Sequence, residues 1–374
     1  MRVVRQSKAD LLKATETKDI VIFGAGAMAM RLLNTVEVTG KIRFFCDNTE
    51  SRIGSRLYGI DIVSPELLKT VTPEEVIVVV ASSERQIEIS EQVWKIADFD
   101  VYFAKVLVSK TLETVACDLF DNQNKINQVS DMLIDETSRK IYNEVVQRRM
   151  IYGTCDFSDL KIEGDEEYFL PQMFEDKAPE AEVIVDCGAY TGDTVERFAR
   201  MFYDKVKKIW ALECGNEQLE QLYARLACLR QLPVCPEVEV LPYAVSDQDG
   251  ELEFYQLEKA NGSFVGANRE FAKNDKYFYN NVYHVKCVAL DNILPEDEPV
   301  TIIKMDVEGS EYAALKGATR IIKKNKPKLA ISIYHSGVDF FRLALYLKEI
   351  VPEYKFAIRH HKKGHVDTDL YAWI

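Results

Sequence analysis

Two apolar runs of this chain each end in a glycine-spaced loop that leads into a helical pattern. The first reads VIFGAGAMAM at residues 21–30, and the second reads VIVDCGAYTGDT at residues 183–194. A strand that turns through glycine into a helix begins a βαβ unit, and such units build parallel sheets covered by helices. The sequence therefore predicts an α/β protein with two Rossmann-like domains.

Strand and helix patterns alternate in both halves of the chain, separated by a polar segment. Residues 111–150 lack glycine and proline and show helical spacing. We predict a first α/β domain over residues 1–110, a helical connector over 111–180 and a second, doubly wound domain over 181–374. In the second domain, ELEFYQL and YHVKCVAL flank a polar loop, EKANGSFVGANREF, and YKFAIRHHKKGHVDTDLYAWI predicts a terminal antiparallel hairpin.

Charge and composition exclude several classes of function. The formal net charge of −13 would repel a phosphate backbone, so we expect no nucleic-acid partner. The most apolar run, VIVVVA at residues 76–81, is far shorter than a membrane span. The first ten residues lack the apolar core of a secretory signal, and the eight cysteines form no C-x-x-C pair. We therefore expect a cytoplasmic protein without a zinc knuckle or a disulfide framework.

An acid stands where a dinucleotide-binding loop would begin with glycine. Asp186 ends the strand VIVD, and Gly188 follows it. A carboxylate there would repel a pyrophosphate, but S-adenosylmethionine carries a cationic amino group and a sulfonium and has no phosphates. Asp186 can therefore organise the loop or bind the methionine ammonium group. Glu213 ends the next strand, IWALE, 27 positions later, and can accept hydrogen bonds from both ribose hydroxyls. The pair predicts an adenosyl ligand without phosphates, although each acid alone also fits an ordinary strand end.

A third segment carries a family resemblance. TIIKMDVEGSEYAALKGAT, residues 301–319, resembles the IKIDVEGAE-x-x-VLKGA signature of FkbM-type S-adenosylmethionine-dependent methyltransferases, and the segments VIVDCGAYTGDT, IWALECGNEQLEQL and LPYAVSDQDGELEFY come in the family's order. The resemblance covers roughly residues 181–374. It implies a class I methyltransferase sheet, S-adenosylmethionine as cofactor and O-methylation of a sugar or polyketide-derived hydroxyl, in glycan or natural-product biosynthesis. Two departures are Cys214-Gly215, where the family has proline, and Tyr334-His335, where relatives have an acid before the histidine.

The resemblance also assigns residues to the site. The four residues Ala244–Asp247 should lie beside the adenine, and Glu308 and Glu311 should lie at the mouth of the site. The expected cofactor-binding residues are Asp186, Gly188, Ala189, Tyr190, Glu213, Ala244, Val245, Asp247 and Asp306. The expected substrate-binding residues are Glu308, His335 and His361.

Two side chains are candidate catalytic bases, because methyl transfer to a hydroxyl requires its proton to be removed. His335 has an intrinsic pKa of roughly 6.5, so it could act without a large shift, although a structural histidine fits equally well. Asp306 fits a positioning role better than that of a sole base. Asp306 and Glu308 alone are weak support for a metal ion, so we expect no obligatory metal. Glu308 and Glu311 share a predicted helix start, and for Glu311 a simple complement to the helix dipole is the favoured role.

The segment RHHKKGH at residues 359–365 is basic. His360, His361, Lys362, Lys363 and His365 could meet an anionic substrate such as a nucleotide-linked sugar. A solvated hairpin tip is the favoured alternative.

The first glycine loop fits the dinucleotide fingerprint. Gly24 and Gly26 form G-x-G-x-x-A after a strand, and Asp47 ends the next strand 21 positions after Gly26. FFCDNTESRIGSRLYGIDIVSPELL also resembles the N-terminal nucleotide-sugar-binding domain of bacterial sugar acetyltransferases. That resemblance implies that residues 1–110 bind a nucleotide or a nucleotide-linked substrate, or a partner enzyme. A retained fold without a ligand stays open.

We therefore expect an S-adenosylmethionine-dependent O-methyltransferase that acts on a sugar or glycan hydroxyl. The substrate would be a small molecule or a glycan, and a nucleotide-linked substrate is compatible with the sequence. One alternative is an NAD-dependent oxidoreductase or epimerase that uses the first glycine loop. Another is a catalytically inactive nucleotide-sugar-binding protein. The sequence leaves the acceptor and the oligomeric state open, and an oligomer is compatible with it.

Overall fold

The computed structural model describes residues 2–162, 167–175, 181–231, 233–257, 263–265 and 279–374. The chain divides into two compact units. The N-terminal unit comprises Met1–Asn124 and Asn143–Phe157, and the C-terminal unit comprises Lys125–Tyr142 and Ser158–Ile374. Both are mixtures of α-helices and mainly parallel sheets, so the predicted α/β fold class is confirmed. The three-part division at residues 110 and 180 stays a prediction.

The N-terminal unit is built on a sheet whose described strands have the order β3-β4-β2-β1-β5-β6, all parallel except the β3–β4 pair. The run VIVVV forms its fully buried strand β5. The strands are β1 Asp19–Phe23, β2 Ile42–Cys46, β3 Arg56–Leu57, β4 Ile60–Val63, β5 Val76–Val80 and β6 Val101–Phe103.

Seven α-helices lie between the described residues 8 and 152, and those that contain residues 125–142 belong in part to the C-terminal unit. The predicted connecting helices are present as α5, α6 and α7. Tyr152, at the end of α7, belongs to the N-terminal unit. Its ring centroid lies 4.7 Å from that of Phe103, and its hydroxyl oxygen lies 3.3 Å from the hydroxyl oxygen of Ser90. The helices are α1 Lys8–Ala14, α2 Ala27–Thr35, α3 Gln86–Ile96, α4 Ala104–Leu107, α5 Lys110–Asp121, α6 Gln123–Met132 and α7 Glu136–Tyr152.

The C-terminal unit contains a sheet whose described strands have the order β16-β17-β15-β14-β7-β8-β9. Strands β15, β14, β7, β8 and β9 are parallel, whereas β17 runs antiparallel to both β15 and β16, so the predicted terminal hairpin is confirmed. The strands are β7 Glu182–Cys187, β8 Val206–Leu212, β9 Glu237–Leu241, β14 Ile302–Met305, β15 Lys328–Ser332, β16 Lys355–His360 and β17 Thr368–Trp373.

The helices of this unit bury apolar faces against the sheet, as Val195 and Phe198 of α8 do. No helix within the described ranges is both long and apolar enough to cross a membrane. The helices are α8 Asp193–Phe202, α9 Asn216–Leu229, α10 Leu290–Ile293, α11 Glu311–Lys316, α12 Thr319–Asn325 and α13 Asp339–Ile350.

A smaller sheet follows β9, with its described strands in the order β10-β13-β11-β12. Its strands are β10 Ala244–Val245, β11 Gly250–Leu257, β12 Ser263–Val265 and β13 Tyr279–Val288. The predicted polar loop EKANGSFVGANREF lies outside the described residues except for β12.

The parallel strands of the larger sheet end along one edge, and the loops that follow them form the site. Gly188 shows how closely these loops pack. Its φ of +78° is one that residues with a side chain rarely adopt, and a Cβ there would lie 1.9 Å from the Asp306 carbonyl oxygen. The first glycine loop of this unit therefore lies directly against the loop after β14.

Gly317, just after α11, tests the packing around the site. A Cβ at this position would lie 2.0 Å from the Ser246 carbonyl oxygen and 3.2 Å from the Ala289 Cα, so the backbone would have to move. We expect Gly317→Ala to lower the free energy of unfolding by about 3 kcal/mol through overpacking. Urea unfolding followed by tryptophan fluorescence measures this. Gly364→Ala, where a Cβ has open space, is the control, and equal stability of the two variants would contradict the packing.

Candidate active site

Asp186 and Lys304 form a buried ion pair at the centre of the strand edge. Lys304 Nζ lies 3.2 Å from Asp186 Oδ1 and donates a hydrogen bond of 2.7 Å to the Gly188 carbonyl oxygen. Burial raises the pKa of Asp186, and Lys304 opposes that shift. Asp186 therefore holds the loop through Lys304 and does not itself line the cavity. Of the two roles expected for this acid, the geometry favours organising the loop.

Glu213 is held by backbone donors at the end of β8. Its Oε2 accepts from the Tyr190 N–H at 2.9 Å, and its Oε1 accepts from the N–H groups of Cys214 at 2.8 Å and Gly215 at 2.7 Å. Burial raises the pKa of Glu213, and these N–H groups oppose the shift. Because proline has no N–H, the cysteine that replaces the family's proline supplies an additional donor. The carboxylate is therefore fixed. Its Oε1 already accepts two hydrogen bonds, whereas Oε2 accepts one and keeps a position for a ribose hydroxyl.

A cavity of about 310 Å³ opens at this edge. The structure brings most of the sequence-predicted residues to it, but not Asp186, Ala189, Asp247, His335 and His361. Ala189 is buried in the core, and Asp247 pairs with Lys316 outside the cavity lining. The predicted residues that line it are Gly188, Tyr190, Glu213, Ala244, Val245, Asp306 and Glu308.

Asp306 is the hydrogen-bonded centre of the cavity wall beyond β14. The Tyr168 hydroxyl donates to its Oδ2 at 2.8 Å, and the Tyr334 hydroxyl donates to its Oδ1 at 3.4 Å. Burial would raise the pKa of Asp306, but His335, Lys304 and the Tyr168 hydroxyl together hold that pKa below its usual range. The residue is therefore an ionised carboxylate that faces the cavity.

His335 lies behind this wall among three carboxylates. Its Nε2 is 3.2 Å from Glu308 Oε2 and 3.6 Å from Asp306 Oδ1, and its Nδ1 is 3.0 Å from Glu311 Oε1. Burial alone would lower the pKa of His335, but Glu311 and Glu308 raise it well above its ordinary value. The expectation of a base with a nearly unshifted pKa is therefore wrong. Position and charge both favour a supporting role behind Asp306.

Glu311 combines two functions. Its Oε1 accepts from the N–H groups of Val307 at 3.0 Å and Gly309 at 3.3 Å, so the carboxylate holds the loop that precedes α11. Its carboxylate also belongs to a cluster with Asp306 and His335 in which one donor atom from each lies within 4.8 Å of the others. Oxygen and imidazole donors at such spacing could hold a divalent ion.

The other end of the cavity is lined by Glu167, Lys362 and Asp367. Lys362 forms ion pairs with Asp367 and, at 3.8 Å, with Glu167. Burial and the charge of Asp367 raise the pKa of Glu167. The lysine of the predicted basic turn is thus neutralised by acids, and this end of the cavity presents carboxylates together with one ammonium group.

His361 has a structural position, contrary to the substrate-binding role expected for it. It is buried outside the cavity, and its Nε2 lies 2.9 Å from the Tyr371 hydroxyl. That hydroxyl accepts a hydrogen bond from the Tyr168 N–H at 3.0 Å. Burial, with neighbouring positive charges, lowers the pKa of His361 to about 3. The neutral ring therefore supports Tyr168. His360 is buried as well, so a solvated tip does not describe these two histidines.

Backbone strain is concentrated at the cavity. Seven non-glycine residues of the described chain have positive φ, and four of them line the cavity: Tyr168 at 67°, Tyr190 at 49°, Glu308 at 54° and Asp367 at 61°. Such conformations cost on the order of 1–3 kcal/mol each and persist where the surroundings impose them. Their grouping supports a functional role for this cavity.

Sequence reasoning missed several cavity residues. Lys304 had a signal, since it is the one charge in the buried strand IIKM. Glu167 and Tyr168 had none, because they lie in the segment predicted as a connector. Asp369 on β17 lies close to the end of β15, where its Oδ1 accepts from the Ser332 hydroxyl at 3.0 Å. Only the antiparallel pairing of β15 with β17 reveals that contact.

Asp47, the acid predicted to act with the first glycine loop, already accepts hydrogen bonds from neighbouring residues. Asp47 Oδ2 accepts from the Ala25 N–H and from Arg52 Nη1, both at 2.9 Å, and its Oδ1 accepts from the Thr49 N–H at 2.8 Å. Burial would raise the pKa of Asp47, but these donors hold it below its usual range. Gly24, with a φ of +105°, has space for no side chain, since a Cβ would lie 2.7 Å from the Ala81 carbonyl oxygen. The Arg52 guanidinium lies beside Gly26.

Two family models match the chain. Residues 186–358 match the model described as Methyltransferase FkbM domain, and residues 16–100 match the model described as C2185-like, N-terminal. The resemblance to FkbM methyltransferases is thereby confirmed for residues 186–358, whereas the resemblance of the N-terminal unit to sugar acetyltransferases stays a prediction. A comparison with curated proteins finds no match.

Solved structures of methyltransferases are similar to this chain. Methyltransferase FkbM from Methylobacillus flagellatus KT is 20% identical, with a TM-score of 0.59 over 98% of this chain and 93% of that one, which shows a shared fold. A precorrin-6y C5,15-methyltransferase from Geobacter metallireducens GS-15 is 13% identical, with a TM-score of 0.31 over 53% of this chain and 82% of that one. A SAM dependent methyltransferase from Aquifex aeolicus is 15% identical, with a TM-score of 0.31 over 58% and 96%.

The buried neutral ring of His361 predicts a pH dependence of stability. The folded chain holds the pKa of His361 at about 3, whereas the unfolded chain has an ordinary pKa of roughly 6.5. The unfolded state therefore binds more protons between these values, so the stabilisation is complete above about pH 6.5 and is lost as the pH falls toward 3. The slope from this group should reach about 1.4 kcal/mol per pH unit.

Urea unfolding of the wild type and of His361→Gln between about pH 7 and pH 5 measures this contribution as a difference. The glutamine keeps an acceptor for the Tyr371 hydroxyl but cannot titrate. The difference between the two free energies of unfolding should shrink as the pH falls. His284→Gln, on the exposed surface of β13, is the control for residue type. Parallel curves for wild type and His361→Gln would contradict the structural role of His361.

Proposed function

We propose that the C-terminal unit, whose residues 186–358 match the model of the FkbM methyltransferase domain, uses S-adenosylmethionine to methylate a hydroxyl of a sugar or glycan. The observation that carries the proposal is a single cavity wall on which Glu213 and Asp306 stand at the ends of β8 and β14. Backbone N–H groups orient Glu213 for a ribose. Asp306 faces the space where the methyl acceptor would lie.

The residues of the cavity fit the cofactor. Glu213 offers an oriented acceptor oxygen, Oε2, which accepts one backbone N–H and keeps a position for a ribose hydroxyl. Gly188 has no side chain, so the backbone can approach the ligand closely. Ala244 and Val245 add a small apolar surface for an adenine, beside Phe254.

S-adenosylmethionine, when bound, supplies a methyl group on a cationic sulfur that leaves as a neutral thioether. The protein must place the acceptor oxygen in line with that methyl group and take up its proton. We assign the proton to the Asp306 carboxylate, because it is ionised and lines the cavity. Tyr168 and Tyr334 keep this carboxylate in one orientation, and His335 supports it from behind.

The acceptor end of the cavity supports a polyhydroxylated substrate. Carboxylates accept hydrogen bonds from hydroxyl groups, and Glu167, Asp306 and Asp367 all line the space. Lys362 adds one donor but is paired with two of these acids. The local excess of negative charge favours a neutral sugar over a phosphate-bearing group in this cavity.

Cofactor binding should depend on Glu213. Calorimetric titration of the full chain with S-adenosylhomocysteine should give binding that Glu213→Ala weakens on the order of 10- to 100-fold, since a hydrogen bond to a charged group is lost. Glu239→Ala is the control, because that acid is on the neighbouring strand β9 and outside the cavity lining. In a parallel experiment, NAD is titrated into the same protein. Binding of NAD in place of S-adenosylhomocysteine would favour the oxidoreductase alternative.

Turnover should depend on Asp306. With labelled S-adenosylmethionine and a panel of neutral sugars, glycans and nucleotide-linked sugars, Asp306→Asn should lower kcat on the order of 100-fold or more, because the amide cannot take the proton. Its binding of S-adenosylhomocysteine should stay close to that of the wild type. A variant that turns over at the wild-type rate would contradict the assignment. Cofactor binding by the wild type without turnover on any acceptor would favour the inactive binding protein.

For the N-terminal unit we propose binding of a nucleotide-linked ligand. Arg52 and the start of α2, which has no side-chain cap, lie together at Gly26, and both suit a phosphate. Asp47 is already engaged by the loop and by Arg52, which disfavours its use for the ribose of a dinucleotide.

Titration of the full chain with UDP-sugars, CDP-sugars and NAD(H) tests this second function. A nucleotide sugar should bind, and Arg52→Ala should weaken it on the order of 10-fold by removing one charged hydrogen-bond donor. Arg56→Ala, an exposed arginine paired with Asp61, is the control. Failure of every ligand to bind would leave a fold without a ligand.

A further inference from the structure

The cluster behind the cavity wall contains buried polar atoms without hydrogen-bond partners. Glu311 is completely buried, and its Oε2 makes no hydrogen bond within the described structure. The His335 side chain is 6% exposed, and neither ring nitrogen makes a hydrogen bond of acceptable geometry, although carboxylate oxygens lie 3.0–3.6 Å away. Buried polar atoms are normally satisfied, so this grouping requires an explanation.

The spacing of the cluster is close to that of a metal coordination sphere. Ligands about 2.1 Å from a common ion lie about 3.0 Å apart in neighbouring octahedral positions and about 4.2 Å apart in opposite ones. One donor atom each from Asp306, Glu311 and His335 lies within 4.8 Å of the other two.

The charge of the cluster also favours a bound cation. Asp306, Glu308 and Glu311 bring three carboxylates around one imidazole. Even a protonated ring leaves an excess of negative charge in a largely buried space, which is costly unless a further cation is present.

We propose that Asp306, Glu311 and His335 bind one divalent cation. Glu308, whose Oε2 lies 3.2 Å from the ring, stands beside the ion as a further carboxylate. Carboxylate oxygens with a single imidazole and no thiolate suit Mn²⁺ or a similar ion better than the softer metals. This set includes His335 and Glu311, whereas the expectation of no metal considered only Asp306 and Glu308.

The ion would have open coordination positions on the cavity side. The side chains of Asp306 and Glu308 are 21% and 34% exposed and line the cavity, whereas Glu311 and His335 close the opposite side. An acceptor hydroxyl that enters beside Asp306 can bind the ion through its oxygen, which would fix its position for methyl transfer. This last role rests on the proposed function, but binding of the ion does not.

The test is binding of Mn²⁺ to the full chain after chelator treatment and removal of the chelator. Electron paramagnetic resonance of the free ion should show one bound Mn²⁺ per chain. Asp306→Asn and His335→Gln should each weaken binding at least on the order of 10-fold. Glu167→Gln, which removes a carboxylate from the same cavity but outside the cluster, should bind like the wild type. Electron spin-echo spectra of bound Mn²⁺ should show a nitrogen coupling in the wild type that His335→Gln loses.

Several results would overturn the proposal. One is a wild-type chain that binds S-adenosylhomocysteine but no Mn²⁺. Others are equal Mn²⁺ affinity in all variants, or a loss of affinity in Glu167→Gln as large as in the cluster variants. Bound Mn²⁺ without a nitrogen coupling would also contradict the proposal. Unfolding curves and S-adenosylhomocysteine binding show whether each variant is folded, and the wild-type nitrogen coupling decides the matter even if a variant is not. Because no methyl acceptor is needed, failure of the proposed methylation leaves this measurement unaffected.

Discussion

The ion pair between Asp186 and Lys304 is the interaction on which the site depends. It joins the ends of β7 and β14 in the middle of the larger sheet, where both side chains are buried. A pair in such a place is costly to break, since removing one partner would leave an uncompensated charge at about 3–5 kcal/mol. Lys304 also holds the Gly188 carbonyl, so the same contact sets the first loop against the loop that carries Asp306.

This arrangement changes how the acid at the end of β7 is understood. From the sequence, Asp186 could have met the ligand or organised the loop, and its complete burial beside Lys304 favours the second. Glu213 differs, because its carboxylate is oriented by three N–H groups and lines the cavity. Two acids in similar positions on neighbouring strands therefore serve different purposes, and the difference lies in what surrounds each carboxylate.

Local patterns were sufficient to predict the α/β fold class and the terminal hairpin, because both depend on apolar runs and turn residues. They also predicted that Glu213, Asp306 and Glu308 lie at one edge of the sheet, since parallel strands end together. They could not place His361, because burial under Tyr371 depends on the pairing of β16 with β17. The raised pKa of His335 was hidden for a related reason. Its cause is the approach of Glu308 and Glu311, which the sequence separates from it by more than twenty residues.

The two ends of the cavity are built by different means. The end with Glu213 is shaped by backbone groups, namely the Gly188 loop and the N–H donors around Glu213. The opposite end is made by the side chains of Glu167, Lys362 and Asp367, which belong to the segment before β7 and to the turn of the terminal hairpin. Under the proposed function, substitutions in those two segments would alter the acceptor while the sheet edge stays unchanged. Acceptor choice could then diverge without loss of the cofactor site, so the sequence of the strands indicates the reaction better than the substrate.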